Sequence, residues 1–302
     1  MSKKVWIPLL ILAVLLVGYY ALFMQAPKVE QSNYEIQLDQ MRKLTDGDQL
    51  PEAINSLIIA EGSFPSAAVV AGESLFSKSP LVFSSFQIQY GDGKTIILDT
   101  AHDKRLQEEN FSGNPFYQDQ FDKMQAAMLK ADSIIATHEH VDHVGGIAQS
   151  PNLDKIEAKV HLTEEQINGP TIEAAEFPKG SLEKLSALKY DTIDHFAPGI
   201  VLQKAPGHSV GSQLVYVRLK NGHEFLFIGD VAWSMRNIDE RVGRPGLISW
   251  FFLHENRDQV ANQLTALNKF KKDHPEVQIV IAHDPANLEE IRKDQGVGSD
   301  FQ

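Results

Sequence analysis

The stretch Thr137-His138-Glu139-His140-Val141-Asp142-His143-Val144-Gly145-Gly146 puts four metal-competent side chains within six residues. The apolar run before it, Ser133 to Ala136, reads as a buried strand. If that strand continues to its tip, His138 and His140 lie two apart, point the same way and reach one cation. Asp142 and His143 fall beyond, where the chain must turn, and can address a second cation. The Gly145-Gly146 pair permits close approach of the backbone to the site. Burying such groups without partners is costly, and an exposed polar loop needs neither this histidine density nor the apolar strand before it. The sequence has no cysteine, which excludes disulfides, thiolate metal sites and a cysteine nucleophile. Imidazole and carboxylate are left to hold any metal.

The elements that must position this cluster are short. Ala67 to Val70, Ser84 to Tyr90 and Thr95 to Leu98 read as strands, with a hairpin at Gly91-Asp92-Gly93. Asn114 to Lys130 reads as a helix, with Phe121, Met124, Ala127 and Met128 on one face. After the cluster come a strand near Lys159 to Leu162, a helix opened by Thr163-Glu164-Glu165, and a strand from Val201 to Lys204 leading to Pro206-Gly207-His208. A second hairpin joins Leu214–Leu219 to Glu224–Ile228 at Asn221-Gly222. Arg257 to His274 reads as an amphipathic helix, and Val277 to Ile281 as a last buried strand ending at His283. Each candidate ligand follows a strand's carboxyl end, which suits two packed sheets with helices outside.

The chain has 302 residues and a formal charge of −12, which repels phosphate backbones and argues against a nucleic-acid partner. Its first residues form a separate unit. Lys3 and Lys4 precede an uncharged, mostly apolar run from Val5 to Met24, long enough to cross a bilayer. The expectation is residues 1–25 as an uncleaved membrane anchor or a cleaved signal segment, 26–50 as a linker with a short helix near Ile36 to Leu44, and 51–302 as the catalytic domain. The lysines then stay in the cytoplasm and the domain lies outside it, on the periplasmic or extracellular face.

The motif His138-x-His140-x-Asp142-His143 resembles the H-x-H-x-D-H signature of the metallo-β-lactamase superfamily, and the similarity runs from about Ala67 to Leu288. Supporting motifs occur in the family's order. Asp99 in Ile97-Leu98-Asp99-Thr100 matches an early buried aspartate that organises the site, and His208 in Ala205-Pro206-Gly207-His208-Ser209 matches a third histidine. Asp230 in Phe227-Ile228-Gly229-Asp230 matches a bridging carboxylate, and His283 in Ile281-Ala282-His283-Asp284 a final histidine. The resemblance implies an αββα four-layer sandwich of the α/β class, here with an N-terminal transmembrane helix. It implies two divalent ions, with zinc first and iron, manganese or cobalt as alternatives. His138, His140 and His208 would hold one, and Asp142, His143 and His283 the other, with Asp230 between them.

Two such ions about 3.5–4 Å apart acidify a shared water and polarise a carbonyl, so the implied reaction is hydrolysis. Asp142 is the expected proton shuttle, with Asp230 second. The motifs look most like the N-acyl-homoserine lactone lactonase branch, which implies a small ester or lactone substrate. One departure stands out: Trp233 takes the place where those lactonases carry a tyrosine, and an indole has a donor but no ionisable phenol. Trp233, Trp250 and Phe251, with Phe252, are candidates for an acyl-chain pocket, against ordinary core packing as the alternative. Arg236, Asn237 and Arg241 are candidates for a polar substrate end. The competing functions are a β-lactamase, a glyoxalase II-like thioesterase, and a membrane-tethered module that binds a ligand without turnover.

Overall fold

The structure, a computed structural model, describes residues 3–301. Met1 and Ser2 of the expected N-terminal segment and Gln302 lie outside the described residues, as do the side chains of Lys3 and Lys4 on which its expected orientation rests. Helix α1 (Lys3–Tyr19) runs into a π-helical turn (Tyr20–Met24), and α2 (Leu38–Leu44) follows. Then come β1 (Ala53–Pro65), α3 (Ser66–Val69), β2 (Lys78–Gln89), β3 (Thr95–Thr100), α4 (Lys104–Asn110), α5 (Gln118–Lys130) and β4 (Ser133–Ile135). Helices α6 (Val141–Ala148), α7 (Leu153–Ile156) and α8 (Glu164–Asn168) lead to β5 (Ile193–Ala197), β6 (Ile200–Lys204), β7 (Gln213–Arg218) and β8 (Glu224–Phe227). The chain closes with α9 (Met235–Glu240), α10 (Gly246–Phe251), α11 (Arg257–Asp273), β9 (Val277–Val280) and α12 (Pro285–Gln295).

Two sheets result, ordered β1-β2-β3-β4 and β5-β6-β7-β8-β9. Each is antiparallel except for its last pair, β3 with β4 and β8 with β9. A parallel pair needs a crossover, and α5 and α11 supply the two. Side chains alternate as strand geometry requires. Phe86, Ile96 and Leu98 of the first sheet pack against Leu202, Val215 and Phe227 of the second, forming the central core. Ile97 and Ile134 face outward onto Met124, Met128 and Val144 of α5 and α6. Leu214, Tyr216 and Ile279 face outward onto Leu264 and Leu267 of α11 and Met41 of α2. Helix, sheet, sheet and helix thus make four layers, each buried aliphatic or aromatic side chain contributing about 1.5–3 kcal/mol.

Both hairpins form where the glycines stand, with Gly93 and Gly222 at φ 89° and 92°. Other expectations fail for local reasons. Ala67 to Val69 lie in the short helix α3, directly after Pro65 ends β1, and Val70 follows as its extended C-cap. Strand β1 hides behind Asn55, Ser56, Gly62 and Ser63, and a register shift between Ile58 and Ala60 breaks its alternation. Strand β5 lies at a sheet edge and carries Asp194 and His195. Around Val160 only a single bridge to Ile134 forms. The expected linker carries α2, whose Leu38 and Met41 are buried, while Tyr34 donates its hydroxyl to the Lys204 carbonyl at 2.9 Å. The 19-residue span Trp6–Met24 is apolar and unburied, a length and composition that suit a membrane span and equally a signal sequence.

Candidate metal centre

Asp99 enters from β3. The pairing of β3 with β2 slips between Ser85 and Phe86, leaving Asp99 as the extra residue of a bulge at φ 56°. Its carboxylate accepts the Thr137 N–H at 2.7 Å, the Thr137 hydroxyl at 2.9 Å and the His143 Nδ1–H at 2.9 Å. Holding a non-glycine residue in this backbone region costs on the order of 1–3 kcal/mol. The three bonds onto a charged acceptor offset that cost.

The chain leaves β4 at Ile135, and His140 caps the start of α6. The His138 and His140 rings lie 4.6 Å apart, on the same side as expected. Asp142 and His143, expected in a turn, form the first turn of α6, where a carboxylate meets the favourable end of the helix dipole. The glycine pair sits inside that helix. A Cβ on Gly146 would collide with the Thr100 carbonyl oxygen, and one on Gly145 would stand 3.1 Å from that of Ala101. The close approach is therefore of α6 to the end of β3, and it is what keeps His143 within reach of Asp99.

The second sheet delivers the other three residues from loops after its strands: His208 beyond β6, Asp230 beyond β8 and His283 beyond β9. Gly229 before Asp230 has φ 50°, and a Cβ there would lie 2.9 Å from the Thr137 side chain, so the turn requires glycine.

All seven side chains converge. Donor atoms of His138, His140 and His208 lie within 4.8 Å of one another, and so do those of Asp142, His143, Asp230 and His283. Asp230 joins the groups: Oδ2 is 3.4 Å from His208 Nε2, while Oδ1 is 3.2 Å from His143 Nε2 and 3.0 Å from His283 Nε2. The outer ring nitrogens are engaged elsewhere. His143 Nδ1 is held by Asp99, His283 Nδ1 lies 2.8 Å from the Val82 carbonyl, and His208 Nδ1 lies 3.2 Å from Glu255. This leaves the opposite nitrogens to face one another.

There the inner atoms face one another without adequate partners. His208 Nε2 stands 2.9 Å from His140 Nδ1 and His143 Nε2 stands 3.2 Å from His283 Nε2, while among the described residues His138 Nε2 has no hydrogen-bond partner and Asp230 Oδ1, though close to two imidazoles, has none in bonding geometry. Buried lone pairs aimed at a common point need a cation between them, and this donor set fits divalent metal ions. Charge divides the group. Burial and neighbouring imidazoles push His138 well below the usual histidine range and His140 down to about 3. Burial also works against charge on His143 and His283, but the surrounding carboxylates, with Asp230 common to both, override it and hold both rings above that range. Burial would raise Asp142 and Asp230, yet the adjacent imidazoles hold both carboxyls below theirs.

Four supporting residues carried no motif. Glu139 is buried between the two histidines and accepts the Ser209 hydroxyl at 2.7 Å, tying the His208 loop to the cluster. Behind His208 lies an ion pair in which Arg244 Nη2 is 2.7 Å from Glu255 Oε2, both side chains 1% exposed. Arg244 also donates to the Asp230 carbonyl at 2.9 Å and lies 4.8 Å over the Trp233 ring. His102 is buried against Phe83 and Phe111, with Nδ1 unpartnered. In all four the signal is spatial: Glu139 meets Ser209, Arg244 meets Asp230, Glu255 meets His208, and His102 meets Phe83 as well as Gln107 five residues on.

Trp233 is the candidate pocket residue that reaches the centre: its Nε1–H donates to Asp230 Oδ2 at 2.6 Å, and its ring stacks on Phe64. Trp250 and Phe251 are not drawn into the cluster around it and lie exposed on the surface. Asn237 is buried and fastens its own helix, donating to the Val69 and Val242 carbonyls. Arg236 pairs with Glu73 and Glu240, and Arg241 with Glu30, all at the surface.

Comparison with known proteins agrees with this geometry. A probable metallo-hydrolase of Mycobacterium tuberculosis is 28% identical over 184 residues, covering 53% of this chain and 57% of the relative. N-acyl homoserine lactonase AttM of Rhizobium radiobacter is 28% identical over 159 residues, covering 50% of this chain and 57% of the relative. The chain thus spans little more than half the length of these relatives. Among solved structures, an N-acyl homoserine lactone hydrolase with the product N-hexanoyl-L-homoserine bound at its catalytic metal centre superposes with a TM-score of 0.61 at 15% identity, over 80% of this chain and 96% of that one, a likeness of fold. The family description "Metallo-beta-lactamase superfamily" matches residues 84–283, from within β2 to the last histidine of the cluster. This chain belongs to the metallo-beta-lactamase superfamily.

Proposed function

We propose that the chain is a dinuclear metal-dependent hydrolase that opens a lactone ester of the N-acyl-homoserine type, anchored by its N-terminal helix with the catalytic domain outside the cytoplasm. Zinc is the expected metal. The observation that carries this reading is the pair of adjoining donor groups, joined by Asp230, with the outer nitrogens of His143, His208 and His283 already engaged. The AttM relative and the lactone hydrolase neighbour support the choice of substrate.

In this reading His138, His140 and His208 hold one ion, and Asp142, His143 and His283 hold the second. A pair of divalent ions, when bound, supplies an acidified water and a Lewis acid for the carbonyl. The protein's own contribution is to orient and to move a proton. The Asp142 side chain keeps 16% exposure while that of Asp230 keeps 2%, so Asp142 is the carboxylate able to pass a proton to the departing alkoxide. Asp230 stays as the fixed link. Trp233 spends its N–H on Asp230, and so does not replace a phenol in assisting the substrate oxygen.

The test uses the full chain in detergent, with metal content measured and hydrolysis of a homoserine lactone, nitrocefin and a glutathione thioester compared. Lactone turnover that disappears in His138→Ala and after chelation supports the reading. Nitrocefin or thioester turnover with inert lactones reassigns the substrate, and a chain that holds no metal overturns the proposal.

A further inference from the structure

Beyond the N-terminal helix, eight large apolar side chains are exposed among the described residues. Tyr117, Leu129 and Val210 stand singly, as such residues commonly do. The other five fall in two segments: Leu75 and Phe76, exposed by 39% and 99%, and Trp250, Phe251 and Phe252, exposed by 45%, 64% and 71%.

Both segments clasp the end of the apolar helix. Gly72, just before Leu75, donates its N–H to the Phe23 carbonyl at 3.1 Å. Gly246, which starts α10, lies so close that a Cβ would stand 2.7 Å from the Ala21 carbonyl oxygen. Arg257, at the start of α11, donates to the Gln25 carbonyl at 2.5 Å, and its guanidinium lies 4.6 Å over the Trp250 ring. The helix therefore ends at the feet of the two loops that carry the aromatic side chains. Where such a helix leaves a bilayer, neighbouring side chains sit at the level of the lipid headgroups, the region that amphipathic aromatic rings favour.

We infer that Leu75, Phe76, Trp250, Phe251 and Phe252 form an interfacial platform that seats the catalytic domain on the membrane beside its anchor. The occupant is a lipid surface. Attraction to anionic lipids contributes little in a chain of net charge −12, so apolar insertion carries the contact. The domain then lies against the bilayer with a fixed face down, not swinging on a tether. This inference rests on the proposed membrane anchoring.

The sequence has no cysteine, so single Phe76→Cys, Phe251→Cys, Met24→Cys and Leu129→Cys variants of the full chain can each take one NBD label. The labelled proteins are reconstituted in phosphatidylcholine liposomes containing lipids nitroxide-labelled near the headgroup. Loss of NBD emission at positions 76 and 251, matching that at 24 and absent at 129, is the expected result. Quenching at 24 with positions 76 and 251 behaving like 129 overturns the platform while the anchor stands. No quenching at 24, 76 or 251 removes both. As a check without labels, the Trp6→Phe full chain keeps Trp250 as its exposed indole, Trp233 being buried, and brominated lipids must quench it.

Discussion

Replacing Glu255 by Gln tests how far the centre depends on residues behind its donors. The carboxylate accepts from Arg244 at 2.7 Å and from the Ser249 hydroxyl at 2.5 Å, and lies 3.2 Å from His208 Nδ1. Burial would raise its pKa, but the Arg244 charge and the hydrogen bond with His208 hold it far below the usual carboxylate range. Glu255→Gln keeps the shape and leaves the Arg244 guanidinium buried without a counter-charge. Breaking a buried pair on one side costs about 3–5 kcal/mol, a large share of the roughly 5–15 kcal/mol that holds a domain together. His208 also loses the charge that makes its inner nitrogen a better donor, which by analogy with other metal-supporting contacts weakens metal binding about 10–100-fold. Urea unfolding and chelator competition measure the two effects separately. The double variant Arg244→Met/Glu255→Leu removes both charges, and is expected to recover most of the stability while leaving the metal weakly bound. Glu255→Gln with unchanged unfolding midpoint and unchanged metal affinity would refute the reasoning.

Further outcomes follow from the same geometry. Trp233→Phe deprives buried Asp230 Oδ2 of its donor, so the metal-free protein is expected to lose about 1.5–3 kcal/mol and the metal-loaded protein less; equal losses in paired melting curves would contradict this. Gly146→Ala drives a methyl into the Thr100 carbonyl and is expected to cost about 1–3 kcal/mol by overpacking, so a wild-type denaturation midpoint would show that α6 has room to move. The carboxylates around His143 and His283 hold both rings above the usual histidine range in the metal-free site, so these imidazoles keep a proton to higher pH than a free one and metal competes with it. Affinity therefore rises with pH, and calorimetry in buffers of different ionisation enthalpy is expected to detect proton release on loading; a buffer-independent enthalpy would contradict the assignment.

The legible part of this molecule was the part encoded locally. His138, His140, Asp142 and His143 lie on one strand exit and one helix turn, so their spacing alone brings them together. His208, Asp230 and His283 were readable through the family resemblance of their motifs, each of which stands just past a short apolar strand. Arg244, Glu255 and His102 were not, because what gives them meaning is burial beside the cluster, Arg244 against Asp230, Glu255 against His208 and His102 against Phe83. A short helix was expected where α2 forms, but the burial of its Leu38 and Met41 was not, because the second sheet supplies their partners. Strands β1 and β5 escaped notice for the opposite reason, since polar residues within them mask the alternation. Trp250 and Phe251 show the limit of composition: aromatic residues can line a pocket or face outward, and only the surrounding fold decides.

Each of the two donor groups draws on both halves of the chain, His138 and His140 meeting His208, and Asp142 and His143 meeting Asp230 and His283. An ion in either position would therefore act as a rivet across the seam where one sheet abuts the other, and neither half would hold it alone. Metal escape would then require the sheets to part at that edge, so retention in the face of a chelator would follow the frequency of that opening, which amide hydrogen exchange at Thr137 and Ile281 would report.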